Sequence, residues 1–401
     1  MTGRWFRAAA LVLVTACRHG REAAIATAAD TAGDTLHVAI TASESLPGLF
    51  VALDTPRVVW TPEELGRPTG MAVGPDGRIT VSDVKHLYAW QPGTDTATAV
   101  GGEGAGPGEY RSIGGMVAEP DGSLLTLDSR QRRMIRFDAH GTHDSTWPVD
   151  QDFAHDPFLA VMQGNPVVLV GPGLVHVGEP PDTLSLKALA GDSATVLGKL
   201  RQFIWMQSPS GMLAPRDAYP AQALLAGTAT AGFAFSDGLQ YDIRWWRPNA
   251  SPAWLHLSRA WIPPSVSIDR EPPTQLLAQL PGGGKTIVDI VKSQTRGDHK
   301  YSLGQIVLLP TGTLWTMPID SSYVYHPWYY AQLSQLRQPT RLWEVFGPDG
   351  HLRAQVRLPS MFAPTTVHDC QLYGFLEDSD GAFSVATIPL GKECARLAKG
   401  W

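Results

Sequence analysis

"GMAVGPDGRITVSD", residues 70–83, returns as "GMVAEPDGSLLTLD" at residues 115–128. Met71 meets Met116, Pro75-Asp76-Gly77 meets Pro120-Asp121-Gly122, and Asp83 meets Asp128, each at an offset of 45. In both copies two short apolar runs flank a tight turn. Proline pre-sets φ, aspartate hydrogen-bonds its own backbone, and glycine accepts positive φ. A strand–turn–strand unit of about this length cannot bury both its faces alone, and does so against copies of itself.

Working outward, the second copy continues into "RRMIRFDAHGTHDSTW", two further strands around Asp138-Ala139-His140-Gly141. A late counterpart stands at 341–359, "RLWEVFGPDGHLRAQVRLP". Weaker units occupy 156–177, 233–257, 303–317 and 367–388, making six with the two clear copies. "LHVAITAS" (36–43) and "FVALDTPRVVW" (50–60) precede the first full unit and have strand character. One of them is expected to supply the missing outer strand of the last unit, which closes a ring and covers an open edge. Residues 263–300 do not fit the period; "PPTQLLAQL" and "KTIVDIVKSQ" carry short helical spacing and read as a helical insertion on one face. The stretch 321–339, "SSYVYHPWYYAQLSQLRQP", sets an aromatic cluster inside the fifth unit.

The organisation resembles the bacterial six-bladed β-propellers related to NHL-repeat proteins. The residues that carry the resemblance are the two repeat starts, the "GEGAGPGEY" connector and "LDSRQRRMIRFD", where Gln131 stands near a usual Asn. "MLAPRDAY", "YDIRWWRPNA" and the 341–359 stretch resemble later blades, so the likeness spans roughly residues 50–390. It implies an all-β fold: six four-stranded antiparallel blades with a short helical insertion. It implies little about function, because members include lyases, hydrolase-like proteins and plain binding scaffolds.

The chain of 401 residues has 40 Gly, 32 Pro, 17% charged residues and a formal net charge of -6. That balance argues against a nucleic-acid surface, which needs clustered Lys and Arg. The densest basic run, Arg130 to Arg133, reads as a solvated strand end.

Residues 1–17 read as an export signal: two arginines, the short apolar "AAALVLVTA", then a cysteine. The apolar run is too short to span a bilayer. "VTAC" resembles a bacterial lipobox, with Cys17 as the lipidated residue; the alternative is an ordinary signal with an incidental cysteine. Residues 18–34 read as a flexible tether, 35–392 as the propeller and 393–401 as a tail. Cys370 and Cys394 are either a disulfide of an oxidising compartment or two separate buried thiols.

"GGEGAGPGEYRSIGGM", 101–116, invites a phosphate-loop reading. The dinucleotide pattern fails at Pro107 or Glu109, and no amphipathic helix follows, so the stretch reads as a blade connector. Glu109, Tyr110 and Arg111 within it are candidate ligand-face residues, set against a role in bonding the loop's own backbone. Tyr325, His326, Trp328 and Tyr329 are the other ligand-face candidates. "PGGGKT" at 281–286 lacks the first glycine of a Walker motif, and no Gly-x-Ser-x-Gly occurs. The twelve histidines are scattered, and three of them do not map onto the central zinc ligands of the amidating lyases in the resembled group.

These readings lead to an exported, lipid-anchored, monomeric propeller that binds a protein, peptide or carbohydrate ligand, with no cofactor or metal and no nucleic acid. It is expected at a bacterial membrane, on the periplasmic side of the outer membrane or at the cell surface. The alternative is a metal-dependent lyase or hydrolase with its site at the ring's axis.

Overall fold

A computed structural model describes residues 27–40, 49–151, 158–171, 183–201, 205–207, 213–215, 223–259, 302–319 and 340–398, with single-residue or short gaps, and Phe153. Six antiparallel blades follow one another along the chain. Blade 1 holds Gly70–Val73, Ile79–Ser82, Leu87–Trp90 and Ala97–Ala99 in that spatial order. Blade 2 holds Ile113–Ala118, Leu124–Asp128, Arg133–Phe137 and His143–Pro148. Blade 3 holds Leu159–Met162, Asn165–Val170, Thr183–Ala190 and Ser193–Arg201. Blade 4 is built from Leu224–Thr228, Gly232–Ser236, Asp242–Trp246 and Trp254–Arg259. Blade 5 is built from Leu303–Leu308, Leu314–Pro318, Thr340–Phe346 and Leu352–Pro359. Blade 6 takes Phe362–His368, Gln371–Glu377 and Phe383–Pro389 from the chain's end, and its fourth strand, Arg57–Trp60, from near its start.

The repeat turns are superimposable in their bonding. Gly74 N–H donates to Arg78 O (2.8 Å), Gly77 N–H to Gly74 O (3.0 Å), and Arg78 N–H to Asp76 Oδ1 (3.0 Å). Forty-five residues on, Glu119 N–H donates to Ser123 O (2.8 Å), Gly122 N–H to Glu119 O (2.9 Å), and Ser123 N–H to Asp121 Oδ1 (3.0 Å). Gly77 and Gly122 sit at φ +80° and +87°, the left-handed backbone the turn requires.

Apolar residues on both faces of the strands fill six cores, one between each consecutive pair of blades. The period of two along a strand sends neighbours to different cores. Leu124 faces blade 1, while Leu125 and Leu127 face blade 3. Leu314 packs toward blade 4 and Trp315 toward blade 6. The sixth core joins Met71, Ile79, Val81 and Trp90 of blade 1 to Tyr373, Phe375 and Val385 of blade 6. The innermost strands touch in sequence, and that of blade 6 touches that of blade 1, so the ring is closed. The fold is a six-bladed β-propeller.

The start of the chain runs along the outer rim of three blades. Thr35–Ile40 pairs in parallel with Trp254–Arg259 of blade 4, Phe50–Val51 with Gln355 and Val356 of blade 5, and Arg57–Trp60 antiparallel with blade 6. Of the two early strand candidates, the 50–60 stretch therefore completes the last blade. The 36–43 stretch extends blade 4, burying Val38 and Ile40 in the core between blades 4 and 5. One assignment is corrected. Thr27–Ala32, placed in the tether by composition, pairs as a strand with Thr35–Ile40. A strand edge already held on the ring offers its free backbone groups to the next segment, whatever that segment's composition.

The tail also packs. Cys394–Leu397 forms a helical turn whose Cys394 and Leu397 enter the core between blades 5 and 6. Trp315 Nε1 and Thr313 Oγ1 both donate to Leu397 O at 3.2 Å. Cys370 and Cys394 have their Cα atoms 5.3 Å apart and their sulfurs bonded, joining this turn to the first hairpin of blade 6. The helical insertion expected at 263–300 lies outside the described residues.

Candidate functional site

Strand direction sorts the loops by end. At one end stand the tight hairpins, the Pro-Asp-Gly turns among them. At the other stand the turns between second and third strands and every connection from one blade to the next. Strand ends at 170, 201, 259 and 318, and the strand starts that follow them at 183, 224, 303 and 340, all lie at this connector end. The described strands on either side of these intervals thus end and begin on a single face of the ring, and loops held on a rigid scaffold are where binding residues concentrate.

On blades 1 and 2 this end is rigid because two buried aspartates clamp it. Asp83, 5% exposed, accepts N–H bonds from Gly66 (2.8 Å), Lys85 (2.6 Å) and His86 (2.6 Å), and meets His86 Nδ1 at 3.0 Å. Burial opposes its ionisation, but the bonds from His86, Gly66 and Lys85 outweigh it and hold the carboxyl below the usual range. Asp128, 1% exposed, accepts from Arg111 N–H (3.0 Å), Gln131 N–H (3.1 Å) and Gln131 Nε2 (2.6 Å). Gly66 and Arg111 both lie 17 residues before their aspartate. Each aspartate thus ties its turn to the strand entry of its own blade, which is a physical reason for the 45-residue match of Asp83 and Asp128.

The glycine-rich connector closes on itself. Gly102–Glu103 pairs in parallel with Glu109–Tyr110. Gly104 N–H donates to Tyr110 O (3.0 Å), Gly106 N–H to Glu109 Oε2 (2.7 Å), and Glu109 N–H to Gly106 O (3.2 Å). The carbonyls of Gly104, Ala105 and Glu109 are held by Gln131 Nε2 (2.8 Å) and by Arg133 Nη1 (3.0 Å) and Nη2 (2.7 Å). A phosphate cradle needs converging free N–H groups; here those of Gly104, Gly106 and Glu109 are already spent within the loop. Gly101, at φ +66°, admits no side chain, since a Cβ would lie 2.3 Å from Gly108 O.

One ligand-face candidate, Tyr110, is corrected by this geometry. Tyr110 is 3% exposed in the core between blades 1 and 2. Its hydroxyl donates to Val100 O (2.9 Å) and accepts Leu87 N–H (3.1 Å). Burial pushes its pKa up to about 12. Glu109 caps the loop's own Gly106. Arg111 alone of the three presents an exposed side chain at the connector end. Cys17, Tyr325, His326, Trp328 and Tyr329 lie outside the described residues.

Around Arg111 stands a group that sequence spacing did not assemble. Ile113 N–H donates to Val84 O (2.8 Å), and Ser129 N–H to Ser112 O (3.0 Å). These bonds draw the turn of Lys85 and the turn of Arg130 against the entry strand of Arg111. Lys85, Arg111 and Arg130 are all exposed, with Val84 49% exposed among them. The result is a basic corner, three exposed cations carried on backbone segments that these bonds join, on a chain of net charge -6.

A second polar group is fully enclosed between blades 4 and 5. Glu344, 1% exposed, accepts from Tyr241 Oη (2.8 Å), Arg259 Nη2 (3.0 Å) and Gln355 Nε2 (3.2 Å). Thr316 Oγ1 lies 2.8 Å from Tyr241 Oη, and the Arg259 guanidinium sits 4.6 Å over the Tyr241 ring. Burial, then the Glu344 charge, raises the Tyr241 pKa well above the ordinary phenol value. With both carboxylate oxygens engaged, this group is a strut between blades. Trp245 and Trp246, buried in different cores, are likewise packing residues. Among the described residues, no three His, Cys, Asp or Glu side chains converge as a metal-ligand set.

No family model matches the chain, and no curated protein matches it in sequence. Among solved structures it is similar to an exported-protein candidate of Bacteroides fragilis NCTC 9343, at 9% identity over 88% of this chain and 99% of that one, TM-score 0.44. It is similar to a streptogramin B lyase at 8% identity over 83% and 96%, TM-score 0.40. A gluconolactonase of Xanthomonas campestris gives 13% identity over 84% and 95%, TM-score 0.38. At such scores the ring rests on its own strand pairing and its six cores.

Proposed function

We propose that this protein is an exported, lipid-anchored binding scaffold whose propeller presents its connector end to an anionic ligand. The observation that carries the reading is the basic corner of Lys85, Arg111 and Arg130. Three exposed cations and the apolar Val84 are held on turns that the buried Asp83 and Asp128 immobilise. A preorganised cationic surface binds an anion at less ordering cost than loose side chains do. Anchoring rests on the apolar segment before Cys17 and its lipobox-like ending.

Retention of the purified ring on immobilised dextran sulfate, eluted by a salt gradient, tests the ligand class. The wild type is expected to elute well after the triple variant Lys85→Ala/Arg111→Ala/Arg130→Ala. Co-elution of the two would refute the basic corner. Cys17→Ser expressed in a bacterial host tests the anchor: it is expected to move the protein from the membrane to the soluble exported fraction. A wild type lacking acyl mass on Cys17 would end that part of the reading.

A further inference from the structure

The rim strand Thr35–Ile40 meets blade 4 with one polar contact that neither core packing nor the connector end explains. His37 is registered opposite His256, and their Nδ1 atoms lie 3.1 Å apart with the rings at 80°. Behind His256, Asp242 Oδ1 lies 2.9 Å from Nε2. Both histidines are half-buried, on the face away from the core that Val38 and Ile40 enter.

The carboxylate fixes the tautomers. Asp242 only accepts, so a neutral His256 carries its proton on Nε2 and turns a bare Nδ1 lone pair toward His37. His37 Nδ1 must then hold the proton between the rings. A carboxylate on the far nitrogen of an imidazole is the outer-shell arrangement that orients a metal-ligating histidine and raises its basicity. Two imidazole nitrogens bound tetrahedrally to zinc at about 2.0–2.1 Å are separated by about 3.3 Å, so the observed gap needs only a small opening.

We propose that His37 and His256 bind a divalent transition metal of the zinc type through their Nδ1 atoms, with Asp242 holding His256 and water completing the coordination. Binding moves the single proton of neutral His37 from Nδ1 to Nε2, a change of tautomer with no net proton release, and frees Nδ1 for the ion. Asp242 faces Nε2 rather than the ion, which is why the three residues are not a converging ligand set. Arg244 is registered opposite His256, and its exposed side chain is free to point its charge into solvent. The metal would staple the rim strand, and with it the segment leading to Cys17, to the ring.

Isothermal titration of the full chain with Zn²⁺ alone, after chelator treatment, tests this. The expected result is one ion per chain, with affinity falling as pH is lowered because bound imidazoles must be neutral. His37→Gln, which keeps a hydrogen-bonding group but no imidazole, and His256→Ala should each weaken binding by at least about tenfold, and Asp242→Ala by about 10–100-fold. His140→Ala/His143→Ala should leave binding unchanged. In proteolysis, Zn²⁺ should protect the 27–40 segment of the wild type and not of His37→Gln. No Zn²⁺ binding, or binding indifferent to both His37→Gln and His256→Ala, would overturn the proposal and leave a pair of histidines sharing a proton.

Discussion

Glu344→Gln is the substitution that most severely tests the strut between blades 4 and 5. The wild-type carboxylate balances the buried Arg259 guanidinium at 3.0 Å and takes the Tyr241 hydroxyl at 2.8 Å. Glutamine keeps the shape but removes the charge and turns an amide donor toward groups that are themselves donors. Breaking a buried pair by removing one partner costs about 3–5 kcal/mol, because the other charge stays buried. The cation–π contact of Arg259 over Tyr241, about 2 kcal/mol or more where it is desolvated, is present in both forms and so does not offset the lost charge. Tyr241→Phe loses one hydrogen bond to a charged acceptor and should cost about 1.5–3 kcal/mol. The double variant Glu344→Leu/Arg259→Met removes both charges and should cost far less than the two single changes added together. Urea unfolding read by tryptophan fluorescence is the assay. With an m-value of about 3 kcal/mol per molar, Glu344→Gln should lower the midpoint by about 1–1.7 M. A loss under about 1 kcal/mol, or a double variant as costly as the sum, would refute the strut.

Other consequences concern blades 1 and 2. Tyr110 has a folded-state pKa raised to about 12 against about 10 unfolded, so it favours the fold fully below pH 10 and less as pH rises toward 12. The loss approaches about 2.7 kcal/mol; stability measured from pH 9 to 12 should fall less steeply in Tyr110→Phe, and equal slopes would count against the assignment. Gly101→Ala places a side chain on left-handed backbone, costing about 1–2 kcal/mol before its contact with Gly108 O is counted; an unchanged melting temperature would contradict the fit of the connector.

What the sequence revealed was whatever is encoded locally. The Pro-Asp-Gly turns, the aspartates at an offset of 45 and the alternating apolar runs each depend on near neighbours, so the blades could be counted from them. The connector glycines were readable for the same reason. Tyr110 was not, because its burial depends on Leu87 and Val100 of the neighbouring blade as well as on its own loop. Tyr241, Arg259, Thr316, Glu344 and Gln355 lie on two blades and carry no shared spacing, and the contact of His37 with His256 spans 219 residues. The path of the rim strand was hidden by composition: Thr27–Ala32 is rich in small and polar residues, and its strand pairing is supplied by the edge it meets.

Cross-linking at the ring's seam is the most direct test of closure. Arg57 and Thr387 stand directly opposite each other, one from the start of the chain and one from its last blade. Directly opposed residues of an antiparallel pair have Cβ atoms about 4.5–5.5 Å apart, near enough for a bridge after small adjustment. In Arg57→Cys/Thr387→Cys, oxidation followed by non-reducing peptide mapping should recover a disulfide between positions 57 and 387. Peptides from the two ends that never co-migrate, while Cys370 and Cys394 are mapped normally, would contradict the closed ring.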